Sequence, residues 1–369
     1  MSTPFKITLW VVMTMALAFG FFHHLADPAK INFERLHIFL FNLVSGGSII
    51  LYYTEGKNTV SMRVRAFFLL SIVFAAAAFF KCYTLALFLP PLLALIVESI
   101  RIDSFGSILP KALFTMTEPI TRKFHQASLL CLSLGLILSS FAILNSEFTH
   151  WLDLRMLTLN TFFLGYSFPV SLISLSVIFS IMKNHLPGPA PLFKEFSFWA
   201  INLGVIIFFL FMLCGWFLPQ VFISLFLFFS VSLILYLFWR EGTRLQQKAF
   251  LLSGIFFLII TSITGIMYIF LEFSPYYESR YAIPLIRLHA FTALYGWNLS
   301  GLAVISRSQD FPIQLHSSRV ILLHWVTVLL LCPLGYFYPP AAVAAVVCYG
   351  ILLFILFFKK GTVDQRMQA

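Results

Sequence analysis

Charge is what this chain has least of. Only 10% of its 369 residues are charged, against about a quarter in an ordinary soluble domain. Acidic residues are the scarcest, with 14 Asp and Glu against 24 Lys and Arg. The resulting charge of +10 is spread over short loops with no long basic run, which argues against nucleic acid as a partner. Cysteine is sparse as well. Cys82, Cys131, Cys214, Cys332 and Cys348 fall in or beside apolar segments, and no CxxC or CxxCH occurs. A disulfide framework, a zinc site and covalent c-type heme attachment thereby find no support.

Apolar residues take the place of the missing charge. They make up 60% of the chain, the mean hydropathy is +0.94, and Phe alone occurs 45 times. Segments long enough to cross a bilayer lie at about 6–23, 35–54, 63–80, 82–99, 126–146, 157–182, 196–217, 219–239, 248–271, 285–305, 318–337 and 340–358. The expected fold is all-α, a single transmembrane domain (1–369) of about twelve helices. The first segment has one basic residue, Lys6, and an apolar run longer than a signal peptide needs, so it reads as a retained span. The connection 100–124 is semi-apolar and reads as an interfacial element, with a short structured loop from Ile108-Leu109-Pro110 to Met116. Pro187, Pro189 and Pro191 mark 184–195 as a loop.

Basic residues set the expected orientation. With the N-terminus inside, 18 of the 24 Lys and Arg fall on the inner side, leaving Lys30, Arg35, Lys81, Arg155, Arg280 and Arg287 outside. That bias is a positive-inside signal and predicts cytoplasmic termini, most simply in a bacterial inner membrane.

Against this apolar background one tripeptide occurs twice, as Arg35-Leu36-His37 and Arg287-Leu288-His289. Each copy opens a span that runs from outside to inside, and each histidine lies about 3 Å deeper than its arginine. Ionisable groups inside a bilayer are costly and mark function by default. Two histidines at one depth in one leaflet suit axial ligation of a heme iron. Arg35 and Arg287 suit its anionic propionates. Gly46 and Gly47 permit close approach of a helix or a porphyrin. Tyr295 and Trp297 suit a heme edge or ordinary packing.

The run Arg35-Leu36-His37 to Ser45-Gly46-Gly47 resembles the second helix of heme–copper oxidase subunit I, above all in the C-family oxidases and nitric oxide reductases. There a histidine near the outer surface, nine and ten residues before a Gly-Gly pair, ligates the low-spin heme. His289 followed by Gly296-Trp297 is similar to that family's tenth helix. The resemblance implies a twelve-span bundle with cytoplasmic termini, heme b held by His37 and His289, and quinol, cytochrome or other respiratory subunits as partners.

The sequence departs from that pattern in two ways. Spans six and seven hold only His185 where the family places three copper-binding histidines, so copper and the usual binuclear reduction of oxygen or nitric oxide are not implied. Span ten has one histidine instead of two; His289 matches the family's high-spin ligand, and Phe291 stands at the low-spin position. Either His289 pairs with His37 on one heme, the simpler expectation, or each binds its own. His324 and His125, near the inner leaflet, are candidates for a second heme or a quinone site. His23 and His24 close the first span; His150, His185 and His316 read as loop residues; Glu98 and Glu195 sit at inner span ends.

The leading expectation is an electron-transferring membrane b-type cytochrome. The alternatives are a heme-dependent terminal reductase with an atypical site and a transporter without heme. A heme-containing nitrosative-stress protein ranks below these, because that family's histidine-rich motifs are missing.

Overall fold

In the structure, a computed structural model, residues 1–25, 33–153, 157, 161, 163–183, 190–243, 246–274, 278–310 and 317–359 are described. His185, His316, Lys30, Arg155, Arg244, Lys360 and Arg366, along with Pro187 and Pro189, lie outside them. All regular structure among the described residues is helical. Among the described residues, eleven helices are long and apolar enough to cross a membrane. They are α1 (Thr3–Gly20), α2 (Arg35–Glu55), α3 (Met62–Phe79), α4 (Tyr83–Phe105), α5 (Ile120–Thr149), α6 (Phe163–Ser180), α7 (Pro191–Cys214), α8 (Phe217–Glu241), α9 (Gln247–Glu272), α11 (Ser318–Phe337) and α12 (Pro339–Phe358). Between α9 and α11 lies α10, which runs through Ser279–Phe291, Thr292–Asn298 and Leu299–Ser306 without a break. The chain is a polytopic, all-helical membrane protein. Its outward faces agree: α8 exposes Phe222, Phe229 and Tyr236 at seven-residue spacing, and α4 exposes Leu85, Phe88, Leu92 and Leu95, faces that suit lipid and not water.

Local chemistry sets the ends. Ser61 accepts a hydrogen bond from the Val64 amide at the start of α3, and Ser317 does so from Val320 at the start of α11. Gly56 and Gly106 close α2 and α4 with φ of 62° and 72°, a left-handed conformation that glycine adopts without strain. The stretch 190–195, expected as a loop, is instead the first part of a helix beginning at Ala190. Pro191 lies in the first turn, where its missing N–H has no intrahelical partner to lose.

The chain forms two compact units. One holds residues 1–115, 125–173 and 305–308; the other holds 116–124, 174–304 and 309–369.

In the first unit, Pro90 and Pro91 lie inside α4. Pro91 has no N–H for the carbonyl of Leu87, and Ser140 on α5 donates to that carbonyl at 2.7 Å. This is how a bilayer helix tolerates proline. A Ser140→Ala variant is expected to lose about 0.6–1.7 kcal/mol, read as a lower unfolding midpoint in detergent. The ends of α2, α3 and α4 are tied by Arg63, which pairs with Glu55 at 2.9 Å and with Asp103 at 2.5 Å.

In the second unit, Lys123 is fully buried at the start of α5 and pairs with Glu195 of α7 at 2.6 Å. Trp199 Nε1 donates to the same carboxylate at 3.0 Å. Removing one member of a buried pair strands the other. Lys123→Met is therefore expected to destabilise by about 3 kcal/mol, and adding Glu195→Leu to recover most of that loss in the same unfolding assay.

Several helices widen locally to π geometry. The segments lie at Phe39–Gly47 in α2, Asn145–Thr149 at the end of α5, Phe163–Ser167 in α6, Thr292–Asn298 in α10 and Val326–Leu331 in α11. Two of these have a proline beside them. Pro169 leaves the Gly165 carbonyl without its α-helical partner, and Pro333 does the same to Leu329. The segments of α2 and α10 contain no proline, and both begin within three residues after an Arg-Leu-His histidine. π segments inside α-helices concentrate at functional sites.

Candidate functional site

His37 is the last but one residue of the α-helical start of α2, and its side chain is buried. Gly20 of α1 faces the ring: a Cβ built there would lie 3.8 Å from Nδ1. Arg35, two residues earlier and about 200° around the helix, is exposed and lines a cavity in the same unit. The open side of Gly47 is taken by protein, because a Cβ there would lie 2.8 Å from the Phe67 ring of α3. Gly47 therefore serves helix packing, and the porphyrin approach expected of it finds a phenyl ring in the way. Gly46 is buried beside it in the π segment.

His289 sits three residues before the π segment of α10. Its Nδ1 lies 2.9 Å from the carbonyl oxygen of Thr261 on α9, with the Thr264 hydroxyl at 3.3 Å. A carbonyl can only accept, so Nδ1 carries the proton and donates. Nε2 is then left as the lone-pair nitrogen, and it makes no hydrogen bond among the described residues. A backbone carbonyl holding one imidazole nitrogen is the support metal-bound histidines commonly have. Gly265 gives the ring its room: a Cβ there would lie 3.1 Å from Cε1. Arg287 places its guanidinium 4.7 Å from the centre of the Tyr336 ring, a cation–π seat.

The two lesser candidates differ from each other. His324 on α11 is fully buried and donates from Nε2 to the carbonyl of Tyr295 at 2.7 Å. That carbonyl lies in the π segment, where the i→i+4 ladder is broken. His324 packs between Phe250 and Phe257, and its buried Nδ1 has no hydrogen-bond partner. His125 has its Nε2 2.8 Å from the Thr54 hydroxyl. Thr54 spends its own proton on the Ile50 carbonyl, so Nε2 of His125 must donate. His125 also stacks on Tyr53 at 5.4 Å. His23 and His24 form a short 3₁₀ turn after α1, their rings 4.2 Å apart. Trp297 is buried where α10 meets Gly254 of α9, and Tyr295 meets Tyr349 edge-on at 5.2 Å. Glu98, expected at a span end, is held by Arg101 at 2.6 Å and by the Ser133 hydroxyl at 2.6 Å. Among the described residues no cluster of three or more His, Cys, Asp or Glu side chains is arranged to hold a metal ion.

The first unit also holds a cavity of about 330 Å³ between α2, α3, α4, α5 and α6. Arg35 belongs to it, but its other polar residues, Lys81, Ser139, Glu147 and Tyr166, carried no signal in sequence. They lie on three different segments, the α3–α4 turn, α5 and α6, and only the packing of α3 to α6 brings them together.

These features define a polytopic helical membrane protein with two structurally matched histidine helices. Comparisons with protein families, characterised proteins and solved structures find no match to the chain.

Proposed function

We propose that this chain is an integral-membrane b-type cytochrome on a scaffold like heme–copper oxidase subunit I, without the copper site, and that it transfers electrons. His289 and His37 are its heme-iron ligands. The observation that carries the reading is the His289 imidazole, with Nδ1–H fixed on the Thr261 carbonyl and Nε2 left as the donor atom. A second support is that both Arg-Leu-His copies lead into a proline-free π segment. Arg287 and Arg35 supply the positive charge that propionates need at the membrane surface. Held by two imidazoles, heme b would supply one-electron exchange between ferric and ferrous iron. Of the protein's own residues, Thr261 and Gly265 position the His289 ring, and Gly20 lies against the His37 ring. The remaining assignments follow the same reading: a bacterial inner membrane, cytoplasmic termini, and quinol, cytochrome or other respiratory subunits as partners.

A pyridine hemochrome assay on the purified chain tests the reading. The expected result is b-type heme at one or two per chain, with a reduced spectrum that carbon monoxide does not shift. Folded protein purified without a b-type band overturns it.

A further inference from the structure

The heme reading makes no use of the cavity in the first unit, and its walls are chemically ordered. At one end lie Arg35, the turn residue Lys81, and Ser146 and Glu147 from the end of α5. Along the sides lie Phe39, Phe74, Phe79 and the small Ala75, Ala78 and Ala86. At the other end Tyr166 is hydrogen-bonded to Ser139. Ser139 precedes Glu147 by eight residues of α5, which makes the cavity about 12 Å deep.

We propose that this cavity binds a hydroxylated aromatic carboxylate, its ring between the phenylalanines, its hydroxyl at the deep end and its carboxylate at the mouth. Three observations carry the assignment, and none depends on heme.

The first is the supply of protons at the deep end. Ser139 donates to the Gly135 carbonyl at 2.7 Å, so the bond between Ser139 and Tyr166 must be donated by Tyr166. Thr161, on the wall, donates to the Leu157 carbonyl at 2.9 Å. All three hydroxyl protons are committed, and these groups meet a ligand only as acceptors. They favour a ligand with an O–H and offer nothing to an alkyl terminus or a ketone.

The second is the mouth. It holds two cations and one acid, which favours an anion. Lys81 makes no ion pair among the described residues, and it occupies a left-handed backbone conformation, with φ of 59°. Glycine would sit there without strain, so the position keeps a lysine at a conformational cost. Strain of that kind gathers at ligand sites. Arg35 has five N–H donors, so a contact with a propionate leaves others for this mouth.

The third is size. A volume of about 330 Å³ is roughly twice that of an engineered cavity that takes one benzene. It has room for a ring with short polar substituents. The flanking phenylalanines offer edge and face contacts to such a ring.

Isothermal titration of the purified full chain in detergent, with 4-hydroxybenzoate as the probe, tests the proposal. Saturable binding is expected. Benzoate, lacking the hydroxyl, and phenol, lacking the carboxylate, should each bind about 10-fold more weakly, as should 4-hydroxybenzoate to Lys81→Gln. Ala78→Phe places a ring in the cavity and should abolish binding, with an unchanged melting temperature showing that it still folds. The proposal is overturned by no binding at 10 mM probe, by benzoate binding as well as 4-hydroxybenzoate, by octanoate binding more tightly than either, or by binding that survives Ala78→Phe. Titration of heme-free and heme-loaded preparations gives the same answer if the cavity acts alone, so failure here leaves the cytochrome reading standing, and the reverse.

Discussion

A Gly135→Val variant should fail to accumulate as folded protein. A Cβ at Gly135 would lie 2.1 Å from the Cα of Gly165 and 2.9 Å from its carbonyl carbon and oxygen. The obstacle is backbone, so no side-chain rotation relieves it, and α5 and α6 would have to part. Parting them would break two bonds between the helices: the one joining Ser139 to Tyr166, and the one Ser128 donates to the Pro169 carbonyl at 2.7 Å. Overpacking in a core costs about 1–3 kcal/mol when side chains can shift. With backbone against backbone the expected cost exceeds about 4 kcal/mol, in the exceptional class for one substitution. Gly204→Ala is the contrasting case. Its Cβ would lie 2.7 Å from a terminal methyl of Leu227, a group that can turn aside. Thermal unfolding of both variants in one detergent should leave Gly204→Ala near wild type and Gly135→Val unfolded or absent. A Gly135→Val protein melting within a few degrees of wild type would show that the crossing is looser than described.

The second large effect concerns His289. If it is an iron ligand, His289→Ala should remove most of the reduced b-type absorbance, and His37→Ala should act likewise. His125→Ala should keep that absorbance, because the Nε2 of His125 already donates to Thr54. This contrast separates ligation from general damage to the fold. Gly265→Ala gives a graded version. Its methyl would press on Cε1 at 3.1 Å, so the absorbance band should shift or broaden without vanishing. Full heme retention in both His37→Ala and His289→Ala would falsify the cytochrome assignment.

Much of the fold was legible because apolar run length is a one-dimensional property. All twelve expected segments fall on the twelve helices, with ends differing by a few residues. The Arg-Leu-His repeat was legible for the opposite reason, as a rare polar interruption. What could not be read was the partner of each group. Lys123 looked like one basic residue among many near the inner surface, yet it is buried on Glu195, 72 residues away. The Thr261 carbonyl that orients His289 belongs to the backbone and leaves no mark in sequence. Gly135 did leave one, a small residue four positions before Ser139, the spacing that lets helices approach. The π segments escaped because apolar periodicity was read at 3.6 residues per turn, and only the Pro169 and Pro333 cases carry a local cause.

The π segment of α2 amounts to an insertion fixed in place. Removing a single residue between Phe39 and Gly47 would restore the ordinary ladder and leave the two ends of the helix facing much as they do now, because the wider turns already absorb that residue. Glu55 would still meet Arg63 and Thr54 would still meet His125, while the buried residues inside the segment lost their present places. The extra residue therefore reshapes only the stretch it occupies, directly after His37. A one-residue deletion here should be better tolerated than one in the α-helical stretch that follows, Ser48–Glu55, where the loss of a residue would turn Glu55 about 100° away from Arg63.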